Sequence, residues 1–238
     1  MGWASVSNTR LKCQVLVDFD GTIATDDTTD SLLERFAGPG WQTVEDEWKA
    51  GLIGSRECMV RQIALMRATP DQYDEFISGI EIDPAFPGFV ALCHSRGVGI
   101  TVVSDGLDRT VSAVLERHGL DLPYRANQLE WLGGDRWRLL FPHGRADCRA
   151  LAGNCKCQFA AAPSGTVRVV VGDGRSDFCV AEEVELVLAK SALARHAAAT
   201  GLPHFPIQSF AEATTLLAAW LDETLIEPLS NHDLSRDE

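Results

Sequence analysis

The chain has no apolar run long enough to span a bilayer, so a helical membrane protein is not expected. Basic residues are few: 21 Lys and Arg stand against 34 Asp and Glu, a formal net charge of −13. That balance argues against nucleic acid as a partner. A small anionic substrate needs only a site that is locally positive. Met1 to Arg10 lacks the apolar stretch of a secretory leader. The opening MGWASV has Val6 where the myristoylation pattern wants Ser or Thr. Cysteine is scarce and odd in number, seven in 238 residues, which points to reduced thiols in a cytoplasmic protein rather than a disulfide framework. Cys148, Cys155 and Cys157 lack a fourth zinc ligand at an ordinary spacing, even with His143 nearby, and packing is the expected role. The six histidines form neither HxxxH nor HExxH, so zinc-protease chemistry is not expected. Internal repeats and low-complexity segments are absent.

What is present is a globular composition, 45% hydrophobic and 23% charged, long enough for one large domain or a domain with an insertion. Residues 13 to 19 (CQVLVDF) form a short apolar, β-branched run that predicts a buried strand. From Thr25 to about Tyr73 the spacing turns helical, through Leu32, Leu33 and Phe36, then Trp41, Val44 and Trp48, then Met59, Ile63 and Met66. A second buried strand is predicted over 98 to 103, a hairpin over 129 to 141, a third strand over 167 to 171 and a short one near 184 to 189. Helical stretches separate the strands, and residues after about Pro228 are polar and expected to fray. Apolar strands alternating with helices predict an α/β fold, a parallel sheet with helices on both faces. The expected division is a core of residues 1–24 and 85–238, with a helical cap of residues 25–84 inserted into it.

The polar residues gather at the predicted carboxyl ends of the strands, where open parallel sheets bind ligands. VLVDFDGTIA places Asp18 and Asp20 two apart, on one face of an extended chain. The second strand ends in Ser104-Asp105-Gly106, and the third in Gly172-Asp173-Gly174 with Asp177 close behind. Four carboxylates in one place raise each other's pKa and call for cations. Oxygen-only ligands suit Mg²⁺, and Lys156 in GNCKCQ is the Lys between the second and third strand ends.

DFDGT, SDG, a lone Lys and GDGRSD, in that order over roughly residues 11 to 222, resemble the four motifs of the haloacid dehalogenase superfamily of phosphohydrolases. The resemblance implies a Rossmann-like fold and a Mg²⁺-dependent attack of Asp18 on phosphorus, giving an aspartyl-phosphate. Asp20 would act as general acid and then base. Ser104, with the Asp105 and Gly106 segment after it, would hold phosphate oxygens, and Lys156 would neutralise phosphoryl charge. Asp18, the Asp20 carbonyl and Asp173 would ligate the metal. Asp177 would hold metal-bound water or orient Lys156.

The helical insert resembles that of the phosphoserine phosphatase relatives, which grip the serine with a Glu near position 27 and a basic residue near 61 to 62. Here Asp27 stands at the first place and Gln62 at the second, with Arg61 beside it. EWKAGLIGSRECMVRQI (47–63) and GNCKC (153–157) look closer to the branch whose substrate is 2-hydroxy-3-keto-5-methylthiopentenyl-1-phosphate. The resemblance thus implies a small phosphate ester as substrate, with phosphoserine as the alternative, gripped by Asp27 and Arg61. A receiver-type phosphoacceptor domain uses similar groups on a similar sheet. Its phosphorylated Asp lies on a later strand, and the large insert would have no role there.

Overall fold

A computed structural model describes residues 11–161, 165–224 and 226–227 of the chain. The leader and fraying expectations for Met1–Arg10 and for residues after Pro228 lie outside the described residues. In chain order the elements are β1 (Leu11–Val17), α1 (Thr28–Phe36), α2 (Trp41–Lys49), α3 (Ser55–Leu65), α4 (Pro70–Ser78), α5 (Phe86–Ser95), β2 (Gly99–Leu107) and α6 (Asp108–Arg117). There follow β3 (Tyr124–Gly133), β4 (Arg136–Leu140), α7 (Cys157–Ala160), β5 (Thr166–Gly172), α8 (Phe178–Ala181), β6 (Leu186–Ala189), α9 (Ser191–Thr200), β7 (His204–Pro206), α10 (Phe210–Thr224) and β8 (Ile226–Glu227). None of the described helices is long and apolar enough to cross a membrane.

The sheet runs β4-β3-β2-β1-β5-β6-β7, with β8 beside the start of β1. All pairings are parallel except the β3–β4 hairpin. Both faces are covered, as apolar parallel strands require. Val15 and Val17 of β1 enter one apolar cluster, and Leu16 between them enters another with Val103, Val170 and Val187. Register sets the site: Val17 pairs with Val102 on one side and Val171 on the other. Asp18, Ser104 and Asp173 therefore emerge at one level of the sheet.

The helical insert packs into the apolar cluster of the sheet. Leu32, Met59, Ile63, Met66, Tyr73 and Ile77 belong to the same apolar cluster as the sheet residues Val15, Val102 and Val171. Its last helix, α4, starts with a capping box in which Thr69 and Gln72 satisfy each other's backbone amides. Tyr73 of that helix stacks on Trp137 of β4 at 5.2 Å and its hydroxyl meets Thr110 Oγ1 at 2.7 Å. The β3–β4 hairpin thus clamps the insert, and Trp137 Nε1 donates to the Ala68 carbonyl at 2.7 Å. Three expectations shift in detail. The first strand stops at Val17, before the acidic pair; β2 runs on through Ser104-Asp105-Gly106 to Leu107; and β7 and β8 had no apolar pattern to announce them.

Candidate active site

Beyond β1 the chain makes a wide turn, Phe19–Ile23. Gly21 sits there at φ 67°, in the left-handed region, and a Cβ on it would stand 2.8 Å from Asp173 Oδ2. Only glycine leaves room for the two acidic loops to meet. Asp18 is 5% exposed, and its Oδ1 accepts from the Phe19 amide at 2.8 Å and from Lys156 Nζ at 2.7 Å. Lys156 is buried and also donates to Asp177 Oδ1 at 2.6 Å and Ser176 Oγ at 3.2 Å. The other Asp177 oxygen accepts from the amides of Asp173 and Gly174. Lys156 is thus held between Asp18 and Asp177.

These groups hold one another's charges. Burial and the nearby Asp177 and Asp173 carboxylates drive the Asp18 carboxyl upward, and Lys156 opposes them. Burial opposes the Lys156 charge, yet Asp177 and Asp18 together hold its pKa above the ordinary lysine value. Asp20 is pushed up to about 7, by burial first and then by Asp27, against hydrogen bonds from Thr28. Those bonds come from the Thr28 amide and hydroxyl to Asp20 Oδ1, at 2.9 and 2.5 Å. A carboxyl with a value near neutrality can both give and take a proton at physiological pH.

Carboxylate oxygens of Asp18, Asp173 and Asp177 lie within 4.8 Å of one another, the one such group of three among the described residues. The donors are all carboxylate oxygens, a set that fits a hard divalent ion. Because Lys156 and two amides already engage Asp177, Asp18 and Asp173 supply the freer oxygens. Cys148, Cys155 and Cys157 are free thiols and form no such group among the described residues.

A cavity of about 260 Å³ lies between these strand ends and the insert. Asp18, Asp20, Asp105, Gly106 and Asp173 line its floor, and Asp27, Asp30, Glu45, Trp48, Met59 and Gln62 its roof. Ser104 and Lys156 sit behind this wall. Ser104 is fully buried, and its Oγ accepts from the Gly106 amide at 2.8 Å. Asp27 caps α1 by accepting from the Asp30 amide at 2.9 Å. Arg61, expected among the substrate-binding residues, does not line the cavity. Its guanidinium is bidentate on Glu47, at 2.5 and 2.9 Å. One residue along a helix is a turn of about 100°, and α3 directs Gln62 inward instead, its amide donating to Glu45 Oε2 at 3.0 Å.

Asp30, Glu45, Ser55 and Arg175 were not singled out in the sequence, and neither was Asn154. Asn154 Nδ2 donates to the carbonyls of Ser104 and Arg125, both at 2.8 Å, which fixes the loop carrying Lys156. Its place two residues before the lone Lys was the available signal. Crowding at the roof has a measurable consequence. Burial and repulsion from Asp27 and Glu45 push Asp30 up to about 7. The folded state therefore favours its protonated form. That contribution to stability is present at low pH and is lost as pH rises through about 7. In the presence of chelator the Tm should fall between pH 5 and pH 8, and Asp30→Asn should flatten the slope. An unchanged slope in that variant would remove Asp30 as its source.

Comparison with known proteins agrees with this geometry. The family model described as haloacid dehalogenase-like hydrolase matches residues 15–182. A protein of an Exiguobacterium species, named 2-hydroxy-3-keto-5-methylthiopentenyl-1-phosphate phosphatase, is 30% identical over 206 residues, covering 84% of this chain and 94% of its own. One of the same name from Geobacillus kaustophilus is 31% identical over 201 residues, covering 81% and 90%. Among solved structures, a phospho-aspartyl intermediate analogue of phosphoserine phosphatase superposes with a TM-score of 0.67 at 21% identity, covering 87% of this chain and 99% of that one. A substrate-bound phosphoserine phosphatase gives 0.66 at 21%, with the same coverage. These two share the fold. With a family model spanning the strand ends that carry its acidic groups, the chain belongs to the haloacid dehalogenase-like hydrolases.

Proposed function

We propose that this protein hydrolyses a small phosphate monoester through an aspartyl-phosphate on Asp18, with Mg²⁺ as cofactor. The observation that carries the reading is the pairing of Asp18 and Asp20 on the floor of one cavity, with Lys156 bonded to Asp18 from behind. Asp18 is the nucleophile, held by the Phe19 amide and Lys156 so that one oxygen stays free. Asp20, held by Thr28, protonates the leaving alkoxide and then takes a proton from the attacking water. Gly106, whose amide donates to the buried Ser104 Oγ, lines the cavity floor beside Asp18 and Asp20, where phosphate oxygens would sit. Asp18, Asp173 and the Asp20 carbonyl are the groups that would hold Mg²⁺. When bound, the ion supplies Lewis-acid stabilisation of phosphoryl charge.

The substrate class follows from the roof. Asp27, Asp30, Glu45 and the Gln62 amide face the leaving group, and Arg175 is the sole Arg or Lys among the residues lining the cavity. Arg175 is engaged with the Lys49 carbonyl at 2.8 Å. A neutral alcohol with hydroxyl donors suits such a surface, and a carboxylate does not. This favours the keto or enol phosphate in the relatives' name over phosphoserine. The test is a panel of small phosphate esters assayed with Mg²⁺ and with chelator. Keto or enol phosphates are expected to exceed phosphoserine in kcat/KM by about one to two decades, as a missing partner for a buried charge costs about 1–3 kcal/mol. Chelation after dialysis should abolish activity and Mg²⁺ restore it. Phosphoserine leading the panel would overturn the substrate assignment, and full activity in chelator the metal assignment.

A further inference from the structure

We infer that Ser55, Asp105 and Arg175 are positioning residues, a two-point latch that ties the turn between α2 and α3 to the catalytic loops. The inference rests on the phosphatase reading for its kinetics but not for its structural test. Asp105 stands between Ser104 and Gly106, and its carboxylate accepts from three donors. Oδ2 accepts from Ser55 Oγ at 2.5 Å, at the first turn of α3. Oδ1 accepts from Asn127 Nδ2 at 3.0 Å and from the Asn154 amide at 2.8 Å. One carboxylate on β2 thus joins the insert, through Ser55, to β3, through Asn127, and to the loop that carries Lys156, through Asn154.

Arg175 makes the second point, from the turn between Asp173 and Asp177. Its Nη1 donates to the Lys49 carbonyl at 2.8 Å, and its guanidinium lies 5.8 Å from the Trp48 ring. The first turn of α3 touches the Lys156 loop as well, the Arg56 amide donating to the Leu151 carbonyl at 3.2 Å. A Cβ on Gly54 would stand 2.7 Å from that carbonyl, so the turn is seated at close range. Neither Asp105 nor Arg175 is needed to ligate metal or attack phosphorus in the proposed reaction.

A second cavity, about 390 Å³, lies on the outer side of this turn, lined by Leu52, Ile53, Leu151 and Phe178 among others. Trp48, Ser55, Asp105, Arg175 and Ser176 line both cavities. The latch residues are therefore the partition between them. Released, the turn joins the outer cavity to the catalytic one, a path for the ester that leaves the apolar packing of α1, α3 and α4 undisturbed. Closed, it places Gly106 and Lys156 while it shuts the site.

The test uses the full chain with Ser55→Ala, Ser55→Thr and Arg175→Gln. Amide hydrogen exchange over residues 49–56 is expected to accelerate in Ser55→Ala and Arg175→Gln without substrate, while the sheet stays protected. This arm needs no activity, so it separates failure of the latch from failure of the phosphatase reading. With the best ester of the panel, KM should rise by roughly tenfold or more in both variants, with a smaller fall in kcat, and Ser55→Thr should recover most of the loss. A merely structural role would lower the amount of active enzyme, reducing kcat at unchanged KM. That result, or unchanged exchange over 49–56 in both variants, overturns the inference. Should Ser55→Ala fail to fold, Arg175→Gln carries both readouts from the opposite side of the partition.

Discussion

Asp18→Asn is expected to lower turnover by roughly 10⁴-fold or more with every ester, as loss of a covalent nucleophile does elsewhere, while the protein stays folded. The amide keeps an oxygen that can accept from the Phe19 amide and Lys156, the bonds Asp18 Oδ1 makes now. It removes the negative charge that the reaction needs at phosphorus. It also removes a carboxylate whose ionisation is opposed by burial, Asp177 and Asp173. Lys156 retains Asp177 as counter-ion. The expected pair of results is steady-state hydrolysis reduced to background and a Tm equal to or above that of the unmodified protein. Hydrolysis at the ordinary rate by this variant would show that another group attacks phosphorus.

Asp20→Asn should lower kcat by about 10²–10⁴-fold, the usual contribution of a general acid–base group, with much less effect on affinity for the divalent ion. The side chain is held by two bonds from Thr28 that an amide oxygen can also accept, so its position should persist. What disappears is a proton-carrying group poised at about 7. The loss should depend on the leaving group. An ester of nitrophenol departs with little acid help, so the first step proceeds and the second, which needs a base, stalls. Mass spectrometry of quenched enzyme should then find phosphate on Asp18. Its absence under every substrate, with kcat unchanged for alkyl esters, would take the acid–base role away from Asp20.

Much of this site is legible in the sequence because the chemistry lies at strand ends. A buried β-branched run announces β1, β2 and β5, and a parallel sheet brings the residues after such runs to one edge. Asp18, Asp20, Asp173 and Asp177 follow from that rule; Lys156, just ahead of α7, stands out as the Lys between the second and third of those ends, and the roles of all five come from the motif resemblance. The roof was harder, for a geometric reason. Asp30, Glu45 and Gln62 come from three different helices, and helical spacing gives each helix a face without saying which face meets the floor. Arg61 illustrates the difficulty. It is the cation nearest the wanted position in sequence, and Glu47, on the neighbouring helix, draws it out of the cavity. Asp105 reads as a phosphate ligand from its place in SDG; only the fold reveals that Ser55, fifty residues earlier, takes up one of its oxygens.

The apolar cluster that the insert shares with the sheet bears on how such a protein can change its substrate. A cap with a separate core could be exchanged between relatives as a module. Here Tyr73 is matched to Trp137 and Thr110, and Ala68 to Trp137, across the boundary. A transplanted insert would arrive without Tyr73 and Ala68, leaving the buried Trp137 indole and the buried Thr110 hydroxyl unpaired. Altered selectivity is therefore open mainly to single replacements on the roof, at Asp30, Glu45 or Gln62, where a new side chain meets the cavity and not the shared interior.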